Sequence, residues 1–210
     1  DSWLFGLPTA AVSGDRTSVV VYEGDRSDQW NPLRYEMRLQ AEAGSGLVTG
    51  GASDEPSTDS GNWRDHEIAA LYNVLALAHA GADQVTLKVS FDRGATFGQV
   101  EPFDAGPDGG RARLVQVAMA LDYSLALLYW RSNTDASSDL VLVTGAPSAV
   151  DGVGSPTAFA FDPPVVVFHD PDDVTPMLMD AAWSEEGDLV IGYAFTRFRT
   201  LPDMMWETLT

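Results

Sequence analysis

Short runs with hydrophobic residues at alternate positions recur along this chain, each set off from the next by a polar turn. Four times a strand-like segment leads through a tight turn into a second, strongly β-prone segment. The pairs are 10–18 into Val19, Val20, Val21 and Tyr22; 68–74 into Leu75, Ala76, Leu77 and Ala78; 117–124 into Leu125, Ala126, Leu127 and Leu128; and 179–188 into Leu189, Val190, Ile191 and Gly192. After a polar loop each pair is followed by an alternating segment, at 34–39, 84–90, 139–144 and 204–209. Period-two alternation places one set of side chains on a buried face and the other outside, which predicts strands. No 3.6-residue amphipathic stretch of useful length competes with them.

A unit of roughly fifty residues holding three or four antiparallel strands has the size of a propeller blade. The fold class expected is therefore all-β, a β-propeller of about four four-stranded antiparallel blades, with a larger propeller of which these are a portion left open. The domain expected is a single one over 1–210, with repeats at roughly 8–62, 63–106, 107–160 and 161–210. A lone β-sandwich is the alternative. Ala69, Ala70, Ala118, Ala120, Ala181 and Ala182 fall in the first strands, as crowding near a central axis would require. Residues 44–62 and 146–155, rich in small and polar types, read as long loops.

Charge narrows the partners. Acidic residues number 31 against 12 basic, a formal net charge of -19, which argues against nucleic acid or an anionic membrane surface as a general partner. Such a surface suits a secreted, cell-surface or periplasmic protein, although codon bias would produce the same composition. No cysteine is present, so disulfide scaffolds, thiolate metal sites and cysteine nucleophiles are excluded. The longest apolar runs are strand-sized, so membrane insertion by a helix is not expected. The start at Asp1 suggests a processed form or an excerpt of a longer chain.

One turn carries a specific signal. Ser90, Asp92, Gly94, Thr96 and Phe97 follow the third strand of the second repeat with the spacing of an Asp-box, and the segment resembles that of sialidase-like propellers with bacterial neuraminidase repeats. The side chains suit a tight turn: hydroxyl and carboxylate bond nearby backbone groups, and Gly94 permits positive φ. The resemblance implies a structural role for this turn, on the face away from the family's active site.

By that template Arg64, Asp65, His66, Arg113, Trp130, Arg131 and Arg197 lie on or near the opposite face and are the candidate ligand-binding residues. Guanidinium groups there would fork onto a carboxylate, and an indole could stack on a sugar. The competing reading pairs the arginines with local acids such as Asp25, Asp28, Asp65 and Asp135, and buries the tryptophans. No catalytic set is assigned. The Arg-Ile-Pro element of the sialidases is missing, and Tyr35 and Glu36 are adjacent in a strand and so point to opposite faces. Asp170, Asp172 and Asp173 form an oxygen-rich loop, a candidate calcium site against the reading of a solvated acidic loop.

The sequence thus supports a binding or assembly module that presents its Arg- and Trp-bearing face to a glycan, peptide or partner subunit. A sialidase-like glycosidase with part of its catalytic set elsewhere is the first alternative, and a structural piece of a larger assembly the second. A second chain or further blades are expected to complete the propeller. One form of closure would instead use Ser2, Trp3, Leu4 and Phe5 as an outer strand.

Overall fold

The computed structural model describes residues 9–12, 18–23, 33–38, 43–47, 66–80, 84–94, 96–104, 111–172, 174–196 and 203–209, with side chains described in all but the first four of these segments, the last, and residues 104 and 111. Every regular element among them is a β-strand. The first sheet runs β1 (Thr9–Val12), β2 (Ser18–Glu23), β3 (Leu33–Arg38) and β4 (Ala43–Leu47). The second runs β5 (His66–Leu71), β6 (Val74–Ala80), β7 (Gln84–Ser90) and β8 (Gln99–Asp104). The third comprises β9 (Arg111–Met119), β10 (Leu125–Ser132), β11 (Ser138–Val150), β12 (Pro156–Phe161) and β13 (Val165–Asp170). The fourth comprises β14 (Thr175–Trp183), β15 (Leu189–Thr196) and β16 (Asp203–Leu209). All pairings are antiparallel.

Each sheet opens on the strand–turn–strand unit visible in the sequence, and the registers are equivalent. Ala10 stands opposite Val20, Ala69 opposite Ala76, Ala118 opposite Ala126, and Ala182 opposite Val190. A small residue thus recurs at one level of every first strand. These strands meet in chain order, β1 against β5, β5 against β9, and β9 against β14, as inner strands of successive blades must. Among the described strands no comparable contact joins β14 to β1.

Two apolar layers lie between consecutive sheets. One joins Val74, Ala76, Ala78, Val85, Leu87 and Val89 of the second sheet to the faces of β9, β10 and β11 carrying Val117, Leu127, Tyr129 and Val143. The other joins Ala126, Leu128, Trp130 and Leu140 to Leu189, Ile191, Tyr193 and Phe195. A strand such as β10 is buried on both faces, so its residues are apolar nearly throughout, while the period-two pattern decides which layer each enters. Removing such side chains from water contributes about 1.5–3 kcal/mol apiece.

Two segments differ from the sequence reading. Within 44–62 the backbone supplies most of β4, the fourth strand of the first sheet, because Ala and Gly there can pair through the backbone without demanding a packed side chain. Within 146–155, β11 continues to Val150 and the loop shrinks to a turn over 151–155. That turn is one of four alike. In each, the first residue's N–H donates to the carbonyl four residues on, and the fourth residue's N–H donates back: Ala120 with Ser124 and Tyr123, Asn133 with Ser137 and Ala136, Asp151 with Ser155 and Gly154, Ser184 with Asp188 and Gly187. The fourth residue is left-handed every time, at φ 69, 64, 88 and 91°. This is the three-residue hairpin loop with a bulge, and Asp122, Asp135, Asp151 and Ser184 brace it by accepting backbone N–H groups.

Candidate functional site

The turns define two ends. Tyr72, in the β5–β6 turn, and Tyr123, in the β9–β10 turn, have ring centroids 6.4 Å apart, and Asn73 donates to the Phe91 carbonyl at 2.9 Å. The first hairpin turns and the 90–97 turn therefore share one end. The starts of β5 and β9, with the β10–β11 turn, lie at the other, and this second end holds His66, Arg113, Trp130 and Arg131. Arg64, Asp65 and Arg197 lie outside the described residues.

At the second end the third sheet carries a charged row. Arg131 of β10 stands opposite Asp139 of β11, which stands opposite His169 of β13. Asp139 Oδ2 accepts from Arg131 Nε at 3.1 Å and Nη2 at 2.5 Å and from Asn133 Nδ2 at 2.9 Å, while Oδ1 lies 2.7 Å from His169 Nδ1. Burial opposes the charge on Asp139, but hydrogen bonds from Asn133, His169 and Arg131, with the Arg131 charge behind them, outweigh it and hold the carboxyl below the ordinary carboxylate range. Arg131 is thus engaged by an acid, as the competing reading had it, although not by one of the acids named there. Asp135 instead caps its own turn through Ser137, whose hydrogen bonds also lower its pKa.

Trp130 changes role. It is 1% exposed and packs edge-on against Phe168, Tyr193 and Phe195 at 5.8–5.9 Å, so it fills the layer between third and fourth sheets and offers no face to a sugar. Its Nε1 has no hydrogen-bond partner. His66, opposite His79, is also buried. Arg113 is half-buried and stands opposite Trp130, while its neighbour Leu114 is an extra residue in β9 at φ 43°. That bulge reverses the alternation, which would otherwise put residue 113 on the face of Val115 and Val117. A bulky side chain in left-handed backbone is strained, and strain of this kind collects at functional positions. The signal for it in sequence is nil, since leucine favours no such conformation.

The 90–97 turn joins β7 to β8. The Ser90 hydroxyl donates to Asp92 Oδ1 at 2.8 Å and accepts the Gly94 N–H at 2.7 Å. Asp92 takes the Thr96 N–H at 2.8 Å and the Thr96 hydroxyl at 2.7 Å. Arg93 and Gly94 both have positive φ, 64 and 89°. Partial burial disfavours the Asp92 charge, yet the Thr96 and Ser90 bonds outweigh it and lower its pKa. Phe97 is half-buried; Phe91, which the sequence did not single out, stacks on Phe159 at 6.0 Å. Next to it Gln99 donates to the Phe159 carbonyl at 3.0 Å and accepts its N–H at 2.9 Å, satisfying the β12 backbone from the neighbouring sheet. Asp92→Ala is expected to lower stability by about 1–3 kcal/mol through these bonds while leaving ligand affinity unchanged. Urea denaturation alongside ligand titration checks this; a selective loss of binding would contradict a structural role.

Asp170 is buried and its Oδ1 accepts the Asp172 N–H at 3.0 Å; Asp173 lies outside the described residues. Among the described residues no three His, Cys, Asp or Glu side chains gather as a metal would require. Nor, among them, is any helix long and apolar enough to cross a membrane.

No family model and no curated protein matches the sequence. Solved structures do share the fold. An α-L-arabinanase of Penicillium chrysogenum complexed with arabinobiose aligns at TM-score 0.61 and 10% identity, covering 97% of this chain and 61% of that one. An α-L-arabinofuranosidase of Fusarium graminearum with an iminosugar inhibitor gives 0.59 and 12%, over 97% and 61%. An α-L-arabinofuranosidase of Podospora anserina in complex with cellotriose gives 0.51 and 13%, over 97% and 63%. At such identities the likeness is one of fold: this chain has the β-propeller architecture of these proteins and spans about three-fifths of their length.

Proposed function

We propose that this chain is a carbohydrate-directed propeller platform, secreted or surface-exposed, that meets its ligand at the strand ends opposite the Ser90–Phe97 turn. The observation that carries the reading is the fold match over 97% of the chain to propellers whose structures hold an arabino-oligosaccharide, an iminosugar or a cello-oligosaccharide. Arg113, turned by the Leu114 bulge, is the side chain assigned to the ligand, together with Arg64, Asp65 and Arg197, which lie outside the described residues and which the sequence reading assigns to the same end. The hydrogen-bonded turn at Ser90, Asp92, Gly94 and Thr96 supports kinship with Asp-box propellers, and within this proposal its role is structural.

A second reading, a glycoside hydrolase, is favoured by one observation: the matched proteins named above are an α-L-arabinanase and α-L-arabinofuranosidases. Calorimetric titration with arabino-oligosaccharides, cello-oligosaccharides and sialyllactose, run beside turnover of aryl arabinofuranosides and sialosides, separates the two. Saturable binding without turnover supports the platform, turnover supports the hydrolase, and neither binding nor turnover would sink both. If the ligand is anionic, Arg64→Gln with Arg113→Gln is expected to weaken it at least about tenfold, the scale of one charge-assisted contact, without matching loss for a neutral analogue.

A further inference from the structure

The hairpin turns of this chain follow a rule that two of them break. Where a hairpin needs left-handed backbone, glycine or asparagine is favoured, because a bulky side chain there is strained. The 151–155 and 184–188 turns comply with Gly154 and Gly187, and the 133–137 turn uses the small Ala136. Tyrosine takes the place in the β5–β6 and β9–β10 turns. Tyr123, at φ 69°, is the fourth residue of the β9–β10 turn, and Tyr72, at φ 51°, opens the two-residue loop between Leu71 and Val74. At the second position of the β9–β10 turn Leu121, 82% exposed, stands where the other turns have Thr134, Gly152 and Glu185.

The turns do not ask for these rings, since glycine would make both without strain. Tyr123 leans on the layer between second and third sheets, but Tyr72 is 50% exposed. The rings meet across the blade boundary, centroids 6.4 Å apart and tilted by 53°, at the end that carries the Ser90–Phe97 turn. Their backbone is pinned: the Asn73 side chain donates to the Phe91 carbonyl at 2.9 Å, the Arg93 N–H donates to the Asn73 carbonyl at 2.9 Å, and Asp122 accepts the Ser124 N–H at 2.9 Å. Strain that the surroundings hold in place collects at functional positions.

We infer that Tyr72 and Tyr123 form a second carbohydrate-binding site, at the end opposite the first, which stacks on a sugar unit of a neutral polysaccharide. The ligand class rests on the carbohydrate-directed reading above. Three features select this occupant. The patch is two rings and a leucine beside exposed Asp92, Asp122 and Thr96, far short of the roughly 800 Å² per partner of a stable protein interface, whereas a ring pair suffices for a short stretch of glycan. Tyrosine joins an apolar ring face to a hydroxyl tip, which meets both the C–H face and the hydroxyls of a sugar. The net charge of -19 disfavours nucleic acids and anionic glycans, the other ligands that stack on exposed aromatics. With a site at each end, one chain engages a polymer at two points and gains avidity over either.

Affinity electrophoresis in gels containing debranched arabinan or hydroxyethyl cellulose tests the site, and the wild-type protein is expected to be retarded. Tyr72→Gly is expected to lower the affinity at least about fivefold, the scale of one stacking contact. Its melting temperature should stay within about 2 °C of wild type or rise, because glycine relieves the left-handed strain. Tyr72→Phe, which keeps the ring, should bind within about twofold of wild type. A lower melting temperature for Tyr72→Gly with unchanged retardation would overturn the inference, leaving the rings as packing alone. So would a doubled sedimentation mass that Tyr72→Gly returns to single, which would make a second copy of the chain the occupant. Retardation of the wild type that Tyr72→Gly leaves untouched sinks this site alone, whereas a wild type unretarded in both gels sinks it together with the carbohydrate-directed reading.

Discussion

Trp130→Ala is expected to lower stability by about 3–5 kcal/mol, the range for deleting a large buried aromatic whose surroundings cannot close over the space. The indole is the common partner of Phe168, Tyr193 and Phe195, so its loss opens the layer that holds the fourth sheet on the third. Trp130→Phe should cost much less. It keeps an aromatic ring and removes an indole N–H that is buried without an acceptor, itself an unfavourable group. Chemical denaturation of both variants, with glycan titration at a temperature where each is folded, gives the answer. A variant of normal stability that has lost binding would return Trp130 to the ligand site.

Strand order and turn positions were legible in the sequence because the physics behind them is local. Alternation at 68–74 and 75–78 sets which side chains enter the layer, and Ser90, Asp92, Gly94 and Thr96 make bonds within seven residues of chain. The candidate site was less legible. Placing Trp130 required knowing that β10 is buried on both faces, and an apolar run beside an arginine does not say so. Arg131 found Asp139 eight residues away across a hairpin, whereas nearness in sequence favoured Asp135, which closes its own turn. His169 joined the same carboxylate through β13, an additional strand laid along β11 beside β12, which no repeat-based count would include. The bulge at Leu114 left no trace in residue type.

Asp139→Asn is the other change of large expected effect. The carboxylate is buried and receives four polar contacts from Arg131, Asn133 and His169, so an amide there leaves the guanidinium without its countercharge. Breaking a buried pair by removing one partner costs about 3–5 kcal/mol, more than the pair itself contributes. His169→Ala should cost under about 1 kcal/mol, because more than half of that side chain is in water. The pH dependence follows from the direction of the shift. Asp139 titrates lower in the folded state than the roughly 3.9 of an unfolded aspartate, so its contribution is fully present above that value and is lost as pH falls through the folded pKa. Asp92 and Asp135 are lowered as well, so acid weakens the wild-type protein through several groups at once. The difference between wild type and Asp139→Asn isolates one of them. In urea titrations it should stay constant from pH 7 to about 5 and shrink below about 4. A difference under about 1 kcal/mol at pH 7, or one that grows on acidification, would show that Asp139 does not lock β10, β11 and β13 together at this end of the third sheet.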